Sequence, residues 1–254
     1  FLIFPLPEYG PHDSSPPPPG LFTLPSIRYT GEVKLAIVDA GLLEYGKALE
    51  YQKEIRTARL AGLCPDTLIL LEHPPVITLG RRGGTQDVLI SPEAASRAGV
   101  QVFPIDRGGE ATYHGPGQLV GYLIFDLAVA GGSVKRFVHL LEEALIRTLE
   151  RGWGIRAGRS AEHRGVWVGD EKIAALGLSV SRRVTMHGFA LNVTTNLDHF
   201  RWIVPCGIRD RGVTSLARLT GGPVSMDTVK DEVAREIIAV YGFDPDPERK
   251  THAG

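Results

Sequence analysis

Apolar side chains recur along the chain with the spacing of helices in some stretches and of strands in others. After Ser133 they return at three- and four-residue steps, which is the spacing of one face of an α-helix. These positions are Val134, Phe137, Val138, Leu141, Leu145 and Leu149. Good helix formers fill residues 40–60 and stop before Gly62, so a helix is predicted there. A final helix is predicted over residues 226–241, and Ser91-Pro92-Glu93 predicts the start of a short one.

Short apolar runs bounded by turn residues predict the strands. These runs are residues 33–38, 67–71, 76–79, 100–105, 119–127, 165–168, 172–180 and 184–193. The run at 119–127 is almost continuously apolar, which is typical of a strand covered on both faces. The turn at Gly169-Asp170-Glu171 joins its two neighbouring strands into a hairpin. Helices together with several hairpins indicate a single α+β (mixed α/β) domain rather than a doubly wound sheet.

The two ends of the chain differ in composition from the middle. Eight of the 18 prolines lie in the first 25 residues, and residues 16–19 are all proline, which neither a helix nor a paired strand accommodates. We therefore predict a proline-rich flexible arm over residues 1–30, with a ligand for a partner domain as the alternative. One catalytic domain is predicted over residues 31–243, followed by a polar tail over residues 244–254.

Composition and charge are those of an average globular protein. Of the 254 residues 43% are hydrophobic and 22% are charged, and the net charge of -1 argues against a general nucleic-acid binder while leaving room for a local basic patch. Two cysteines, Cys64 and Cys206, cannot form a disulfide framework, so a reducing compartment is expected. Residues 119–130, the longest apolar run, are too short to span a bilayer, and Pro5 and Pro7 make a poor signal peptide. A soluble, cytoplasmic protein without membrane contact is expected.

The segment from Arg107 to Gln118 is the first candidate site. Its four glycines, at positions 108, 109, 115 and 117, allow unusual backbone angles and close approach of a ligand. Arg107, Thr112, His114 and Gln118 add polar groups, as in binding loops held between strands. A solvated turn with a satisfied histidine is the alternative. The spacing fits neither a phosphate-binding P-loop nor the dinucleotide fingerprint.

Cys206 and Lys172 form the second candidate site. Pro205 and Gly207 place Cys206 in an irregular turn that exposes its sulfur, although a free cysteine is more often a small buried residue, as we expect of Cys64. Lys172 begins a strand and on its own is an ordinary surface lysine. If it lies beside Cys206, its ammonium lowers the pKa of the thiol, and its neutral amine can accept a proton.

The histidines point to no metal site. His187 lies in an apolar strand, either as a core residue or, together with His114, as part of a ligand site. The eight histidines lack the spacing of zinc ligands, and the two cysteines are far apart in sequence. We therefore expect no metal cofactor.

Several motifs follow one another in an order that is specific to one family. The longest, from Arg107 to Tyr122, reads Arg-Gly-Gly-x-x-Thr-Tyr-His-x-Pro-Gly-Gln-x-x-x-Tyr. The others are residues 72–80 (EHPPVITLG), 169–177 (GDEKIAALG), 187–193 (HGFALNV), 205–207 (PCG) and 212–216 (GVTSL). Together they resemble the lipoyl(octanoyl) transferases, which are octanoyl-[acyl-carrier-protein]:protein N-octanoyltransferases. The resemblance covers residues 33–241 and leaves out the proline-rich arm.

This resemblance implies the fold of lipoate- and biotin-protein ligases, a mixed β-sheet flanked by helices. It implies transfer of an octanoyl group from octanoyl-acyl carrier protein to a lysine of a lipoyl domain, the first step of endogenous protein lipoylation. The acceptors would be the acyltransferase subunits of 2-oxoacid dehydrogenases and the glycine-cleavage H protein. A monomer that needs neither ATP nor a metal is expected.

By the same resemblance Cys206 corresponds to the catalytic nucleophile and Lys172 to the residue that lowers its pKa. Cys206 would attack the donor thioester to form an acyl-enzyme, and backbone N–H groups of the glycine-rich segment or near Lys172 would stabilise the oxyanion. The implied substrate-binding residues are Arg107, Gly108, Gly109, Glu110, Ala111, Thr112, Tyr113, His114, Ala175, Leu176, Gly177, Gly188, Phe189 and Ala190. His187 and Gln118 are expected to support them.

Arginines are candidates for a basic face that docks the acidic protein partners, with scattered surface arginines as the alternative. They are Arg81, Arg82, Arg107, Arg182, Arg183, Arg209 and Arg211.

Three other functions would use the same residues differently. An ATP-dependent lipoate or octanoate ligase of the same fold needs no nucleophilic cysteine. A Cys–His hydrolase would pair Cys206 with His114 or His187. A non-catalytic module would only bind acyl carrier protein. The context of Cys206 and the motif at residues 112–118 favour the transferase.

Overall fold

Two β-sheets and the helices packed against them make up the described residues, 26–29, 35–204 and 211–243, of the computed structural model. The strands, in chain order, are β1 (Ser26–Tyr29), β2 (Leu35–Leu42), β3 (Asp66–Glu72), β4 (Val76–Leu79), β5 (Gln101–Pro104), β6 (Ala111–His114), β7 (Gln118–Ile124), β8 (Gly158–Arg159), β9 (Val166–Val168), β10 (Glu171–Ser181) and β11 (Val184–Asn192). The helices are α1 (Tyr45–Leu60), α2 (Pro92–Arg97), α3 (Val134–Trp153), α4 (Leu216–Thr220) and α5 (Met226–Tyr241).

The large sheet has the strand order β1-β2-β3-β7-β11-β10-β9-β8. All its neighbours are antiparallel except β2 and β3, which run parallel and are joined by α1. The small sheet has the order β5-β4-β6, with β4 parallel to β5 and antiparallel to β6. This mixed topology confirms the predicted α+β class and excludes a doubly wound sheet.

Helices cover both faces of the large sheet. On one face α3 and α5 bury Phe137, Leu141 and Ile237 against β7 and β11. On the other face α1 packs against the same two strands. Because β7 is covered on both sides, all seven of its residues are buried, as its continuous apolar run predicted.

Serine caps and terminal glycines set most helix limits. Ser91 and Ser133 each accept a hydrogen bond from the backbone N–H of the third residue of the helix that they begin, at 3.2 Å in both cases. Gly154 and Gly242 end α3 and α5 in the left-handed conformation that glycine adopts without strain. These local signals are why α5 has the predicted bounds and α3 begins where predicted.

Three predicted boundaries are wrong. The helix predicted from residue 40 begins at Tyr45, because residues 35–42 continue as β2 across a bulge beside Gly41. The arm predicted over residues 1–30 includes Ser26–Tyr29, which pair with β2, while the rest of the arm and the tail at 244–254 lie outside the described residues. The strand predicted to reach residue 127 ends at 124, because the Asp126 carboxylate accepts the N–H of Ala128 and starts a short 3-10 turn.

The small sheet was not predicted. The runs at 67–71 and 76–79, both predicted as strands, belong to different sheets. Residues 111–114 lie inside the segment interpreted as a glycine-rich loop but form β6, paired with β4. The glycine-rich segment that leads into β6 lies against β10, where the N–H of Gly108 donates to the backbone oxygen of Leu178. None of the described helices combines the length and the apolar character that crossing a membrane requires.

Candidate active site

A pocket lies where the glycine-rich segment packs against β10 and β11, and its roughly 480 Å³ of empty space includes open solvent. Its lining residues are Tyr45, Arg107, Gly108, Gly109, Thr112, His114, Val120, Tyr122, Ala175, Leu176, Gly177, His187, Gly188, Phe189 and Ala190. Eleven of the fourteen substrate-binding residues implied by the resemblance are in this set. Segments that are far apart in sequence therefore meet at one cavity.

Small residues on adjacent strands line the pocket. Gly177 pairs with Gly188, and Ala175 pairs with Ala190, across β10 and β11. A Cβ atom at Gly188 would clash with the backbone oxygen of Gly121, so only glycine fits there. A Cβ atom at Gly177 would lie 2.9 Å from Arg107 Cδ, so glycine at this position lets the glycine-rich segment pack closely against the sheet.

Arg107 fixes the glycine-rich segment in place. It is 7% exposed, and its guanidinium donates to the backbone oxygen of Thr78 at 2.7 Å and to the Thr78 hydroxyl at 2.9 Å. The N–H of Gly108 donates to the backbone oxygen of Leu178 at 3.0 Å. These bonds tie the segment to β4 on one side and to β10 on the other, so the pocket wall is held before a ligand binds.

His73 and Tyr122 form a buried polar pair beside the pocket. The Nδ1–H of His73 donates to the backbone oxygen of Leu43 at 2.6 Å, and its Nε2 accepts from the Tyr122 hydroxyl at 2.7 Å. Burial lowers the pKa of His73 to about 4 and raises that of Tyr122 well above its usual value. Both groups are therefore neutral at physiological pH.

His114 is held in one tautomer. The amide nitrogen of Gln118 donates to the side-chain oxygen of Asn192 at 3.0 Å, so the Gln118 oxygen is the atom that accepts from His114 Nδ1 at 2.7 Å. Burial, followed by the effect of His73, lowers the pKa of His114 to about 3. A histidine with this pKa is a poor general base near pH 7.

His187 connects the glycine-rich segment to β11. It is buried and has a φ of 61°, a left-handed conformation that is rare for residues other than glycine. Its backbone N–H donates to the side-chain oxygen of Gln52 at 2.9 Å, and its Nε2 lies 2.9 Å from Asp106 Oδ1. The hydrogen bond from His187 lowers the pKa of Asp106, so this carboxylate stays ionised. The pair holds the pocket wall against the sheet.

Lys172 lies at a bulge of β10, between Trp167 on β9 and the segment 212–214. Bulges turn side chains away from the regular strand direction. The half-buried Lys172 has its ammonium 4.9 Å from the centre of the Trp167 ring. Gly165 leaves space for this side chain, because a Cβ there would lie 3.2 Å from Lys172 Cε. Lys172 is not among the residues that line the pocket.

Cys206, the predicted nucleophile, lies outside the described residues, so its pairing with Lys172 stays a prediction. The flanking segments are described on both sides. Before it, the N–H of Val204 donates to the backbone oxygen of Asp87 at 2.9 Å. After it, the N–H of Lys172 donates to the backbone oxygen of Gly212 at 3.0 Å.

Three implied substrate-binding residues do not line the pocket. Ala111 and Tyr113 alternate with the pocket-facing residues of β6 and point into a separate apolar cluster under the small sheet. The Tyr113 hydroxyl lies 2.7 Å from His199 Nδ1. Glu110 forms an ion pair with Arg82 at 3.1 Å.

Burial also removes Arg107 from the predicted basic docking face, because its guanidinium is bonded to Thr78 rather than presented to solvent. Several of the others are already paired with acids: Arg82 with Glu110, Arg183 with Asp126, and Arg211 with Asp170 and Glu162. Arg209 lies outside the described residues.

Three pocket residues were assigned no role from the sequence. Val120 and Tyr122 both lie in the longest family motif and in the strand predicted over residues 119–127. This position was the signal in the sequence that could have identified them. Tyr45 comes from α1 and stacks parallel to His114 with ring centres 6.3 Å apart. No motif contains Tyr45, and only the packing of α1 brings it to the pocket. Within the described residues no three His, Cys, Asp or Glu side chains are grouped as metal ligands.

Comparison with known proteins gives the family. Residues 44–238 match the model of the lipoyl protein ligase A/B catalytic domain. A curated octanoyltransferase from Caldicellulosiruptor saccharolyticus is 52% identical over 211 residues, which are 83% of this chain and 90% of that protein. This identity extends over nearly the whole domain.

Solved structures share the fold at much lower identity. A lipoate-protein ligase A bound with ATP has a TM-score of 0.67 at 17% identity, covering 84% of this chain and 86% of the other. A bipartite lipoate-protein ligase from Thermoplasma acidophilum has a TM-score of 0.61 at 18% identity and covers 85% of each chain. These structures confirm the predicted ligase-like fold. Their identity to this chain is 17% and 18%, far below the 52% of the octanoyltransferase. The chain belongs to the octanoyltransferases of the lipoyl protein ligase A/B catalytic domain family.

Proposed function

We propose that this protein transfers an octanoyl group from octanoyl-acyl carrier protein to a lysine of a lipoyl domain, through a thioester on Cys206. The observation that carries the proposal is the convergence of the implied acyl-binding segments on one pocket lined by glycine and alanine. The 52% identity to an octanoyltransferase supports the same reaction. In this proposal the enzyme acts as a monomer and uses neither ATP nor a metal.

The first half-reaction forms the acyl-enzyme. The Cys206 thiolate attacks the carbonyl carbon of the octanoyl thioester, and the carrier's thiolate leaves and takes a proton from the Lys172 ammonium. In the second half-reaction the neutral amine of the lipoyl-domain lysine attacks the enzyme thioester. An amide forms, Cys206 leaves as a thiolate, and Lys172 takes the proton released by the amine, which restores the starting state.

The pocket has the chemistry that an octanoyl chain requires. Val120, Leu176 and Phe189 are among its lining residues, beside the small residues Ala175 and Ala190. At ~0.8 kcal/mol for each buried CH₂, burying most of the chain contributes roughly 5 kcal/mol. A pocket of fixed depth would therefore select the length of the acyl chain.

The observations favour the transferase over its rivals. Burial lowers the pKa of His114 to about 3, which makes it unsuitable as the base of a Cys–His hydrolase. The two ligase structures compared above share the fold at 17% and 18% identity. An assay with free octanoate and ATP, run beside one with octanoyl-acyl carrier protein without ATP, separates ligase from transferase: only the second should yield octanoylated lipoyl domain.

Intact-mass spectrometry tests the proposed route. The wild-type protein, mixed with octanoyl-acyl carrier protein, should gain the mass of one octanoyl group and lose it when a lipoyl domain is added without ATP. Cys206→Ser should show no labile adduct, whereas Cys64→Ala, the control for the other cysteine, should behave as wild type. Transfer by Cys206→Ser at the wild-type rate would refute the thioester route.

A further inference from the structure

A row of buried side chains leads from the pocket to the backbone beside Lys172. His114 Nδ1 donates to Gln118 at 2.7 Å, the Gln118 amide nitrogen donates to Asn192 Oδ1 at 3.0 Å, and Asn192 Nδ2 donates to the backbone oxygen of Thr214 at 3.0 Å. Gln118 is 1% exposed and Asn192 is 3% exposed. Gln118 and Asn192 are also cross-strand partners on β7 and β11. The row therefore lies at the buried, paired ends of β7 and β11.

The direction of every bond in this row is determined. The Gln118 amide nitrogen donates a second bond, to the backbone oxygen of Tyr113 at 3.2 Å, which fixes the orientation of the amide. Asn192 must then accept with its oxygen and donate with its nitrogen. Amides do not titrate in the physiological range, so these two links keep their geometry at any pH at which the protein is folded.

The far end of the row meets the strand pairing that holds Lys172. The N–H of Lys172 donates to the backbone oxygen of Gly212, and the N–H of Thr214 donates to the backbone oxygen of Lys172, both at 3.0 Å. The Thr214 hydroxyl is buried without a hydrogen-bond partner, so it does not anchor this segment. Within the described ranges Asn192 is the one side chain that hydrogen-bonds to the backbone of residues 212–214.

We infer that Asn192 is a positioning residue, which locks the segment 212–214 against β10 and thereby sets the place of Lys172 relative to the acyl pocket. The inference rests on the proposed function for the role of Lys172. Under this inference Asn192 takes no direct part in the acyl transfer. It acts through the backbone of Thr214, and its loss should misplace the amine while leaving the pocket walls in place.

The first test measures the apparent pKa of the Cys206 thiol. In a Cys64→Ala background Cys206 is the one remaining cysteine. Its alkylation rate by iodoacetamide is followed against pH, with Lys172→Met as the reference for a lost ammonium. Asn192→Leu should raise the apparent thiol pKa toward that of Lys172→Met. It should also lower kcat for octanoyl transfer by about tenfold to hundredfold, as a misplacement near 1 Å does, while KM for octanoyl-acyl carrier protein stays within about twofold.

Thr185→Val is the matched control. Thr185 is buried on the same strand, and its hydroxyl donates to the backbone oxygen of Leu123 at 2.6 Å and accepts from the N–H of Phe125 at 3.0 Å. Its removal should lower thermal stability without moving the thiol pKa or kcat. If Asn192→Leu does not fold, Asn192→Asp replaces it, since it keeps the size of the side chain and loses the amide that donates to Thr214.

The outcomes separate this inference from the proposed function. If Lys172→Met raises the thiol pKa and a folded Asn192 variant leaves both the thiol pKa and kcat unchanged, the inference is wrong and the proposed function stands. If Lys172→Met does not move the thiol pKa, the Lys172–Cys206 pairing fails. The positioning role then depends on kcat alone: a larger loss in the Asn192 variant than in Thr185→Val supports it, and an equal loss overturns it.

Discussion

Ala175→Leu should shorten the acyl chain that the enzyme prefers. Ala175 lines the pocket and pairs with Ala190, so a larger side chain there extends into the cavity rather than into a packed core. Leucine adds three carbon atoms and displaces about three methylenes of a bound chain. At ~0.8 kcal/mol each, octanoyl transfer loses about 2.4 kcal/mol, which is about 60-fold in kcat/KM.

For a donor with a shorter acyl chain, the same substitution should lower kcat/KM less. Hexanoyl chains lack two methylenes and would be displaced by about one, for a loss of ~0.8 kcal/mol or about fourfold in kcat/KM. The ratio of kcat/KM for octanoyl- and hexanoyl-acyl carrier protein should therefore fall about 15-fold, which a gel-shift or mass assay of lipoyl-domain modification measures. Ser181→Leu, at the exposed end of the same strand, should leave the ratio unchanged.

An unchanged ratio in Ala175→Leu, in a variant that melts like wild type, would refute the assignment of this pocket to the acyl chain. A loss of equal size for both donors would place Ala175 at the entrance rather than along the chain, and it would refute the argument from depth.

Two further predictions concern the neighbourhood of Lys172 and the response to acid. Gly165→Ala should lower kcat strongly, because its Cβ would lie 2.7 Å from a backbone oxygen and 3.2 Å from Lys172 Cε. Gly169→Ala, where φ is +58° and the added Cβ has nothing within 4 Å, should cost stability alone; equal kcat values would contradict this reasoning. His73, whose pKa is lowered from its usual 6.5 to about 4, binds a proton in the unfolded chain before it does in the folded one. The free energy of unfolding should therefore fall by up to about 3 kcal/mol between pH 6.5 and pH 4. In thermal unfolding against pH, His73→Phe should flatten this slope and the exposed-site variant His139→Phe should retain it; an unaltered slope in His73→Phe would assign the acid sensitivity to other groups.

Local signals in the sequence were enough to predict most elements. Ser133 and Ser91 start their helices by capping backbone N–H groups, and the apolar run of β7 reflects its cover on both faces. Both effects act over a few residues, so they are readable from the chain itself. The boundary at Tyr45 was missed because Gly41 and Leu42 pair with β3, and this tertiary contact outweighs the local helix propensity.

The motifs of the sequence determined the family and the segments that meet at the pocket. Only the tertiary structure decided which side chains of those segments face it, because alternation along β6 turns Thr112 and His114 toward the pocket and Tyr113 away from it. Tyr45 reaches the pocket through helix packing, and Asn192 reaches the backbone beside Lys172 through strand pairing. Such contacts join residues that are distant in sequence, and they depend on sheet register and packing, which no local pattern specifies.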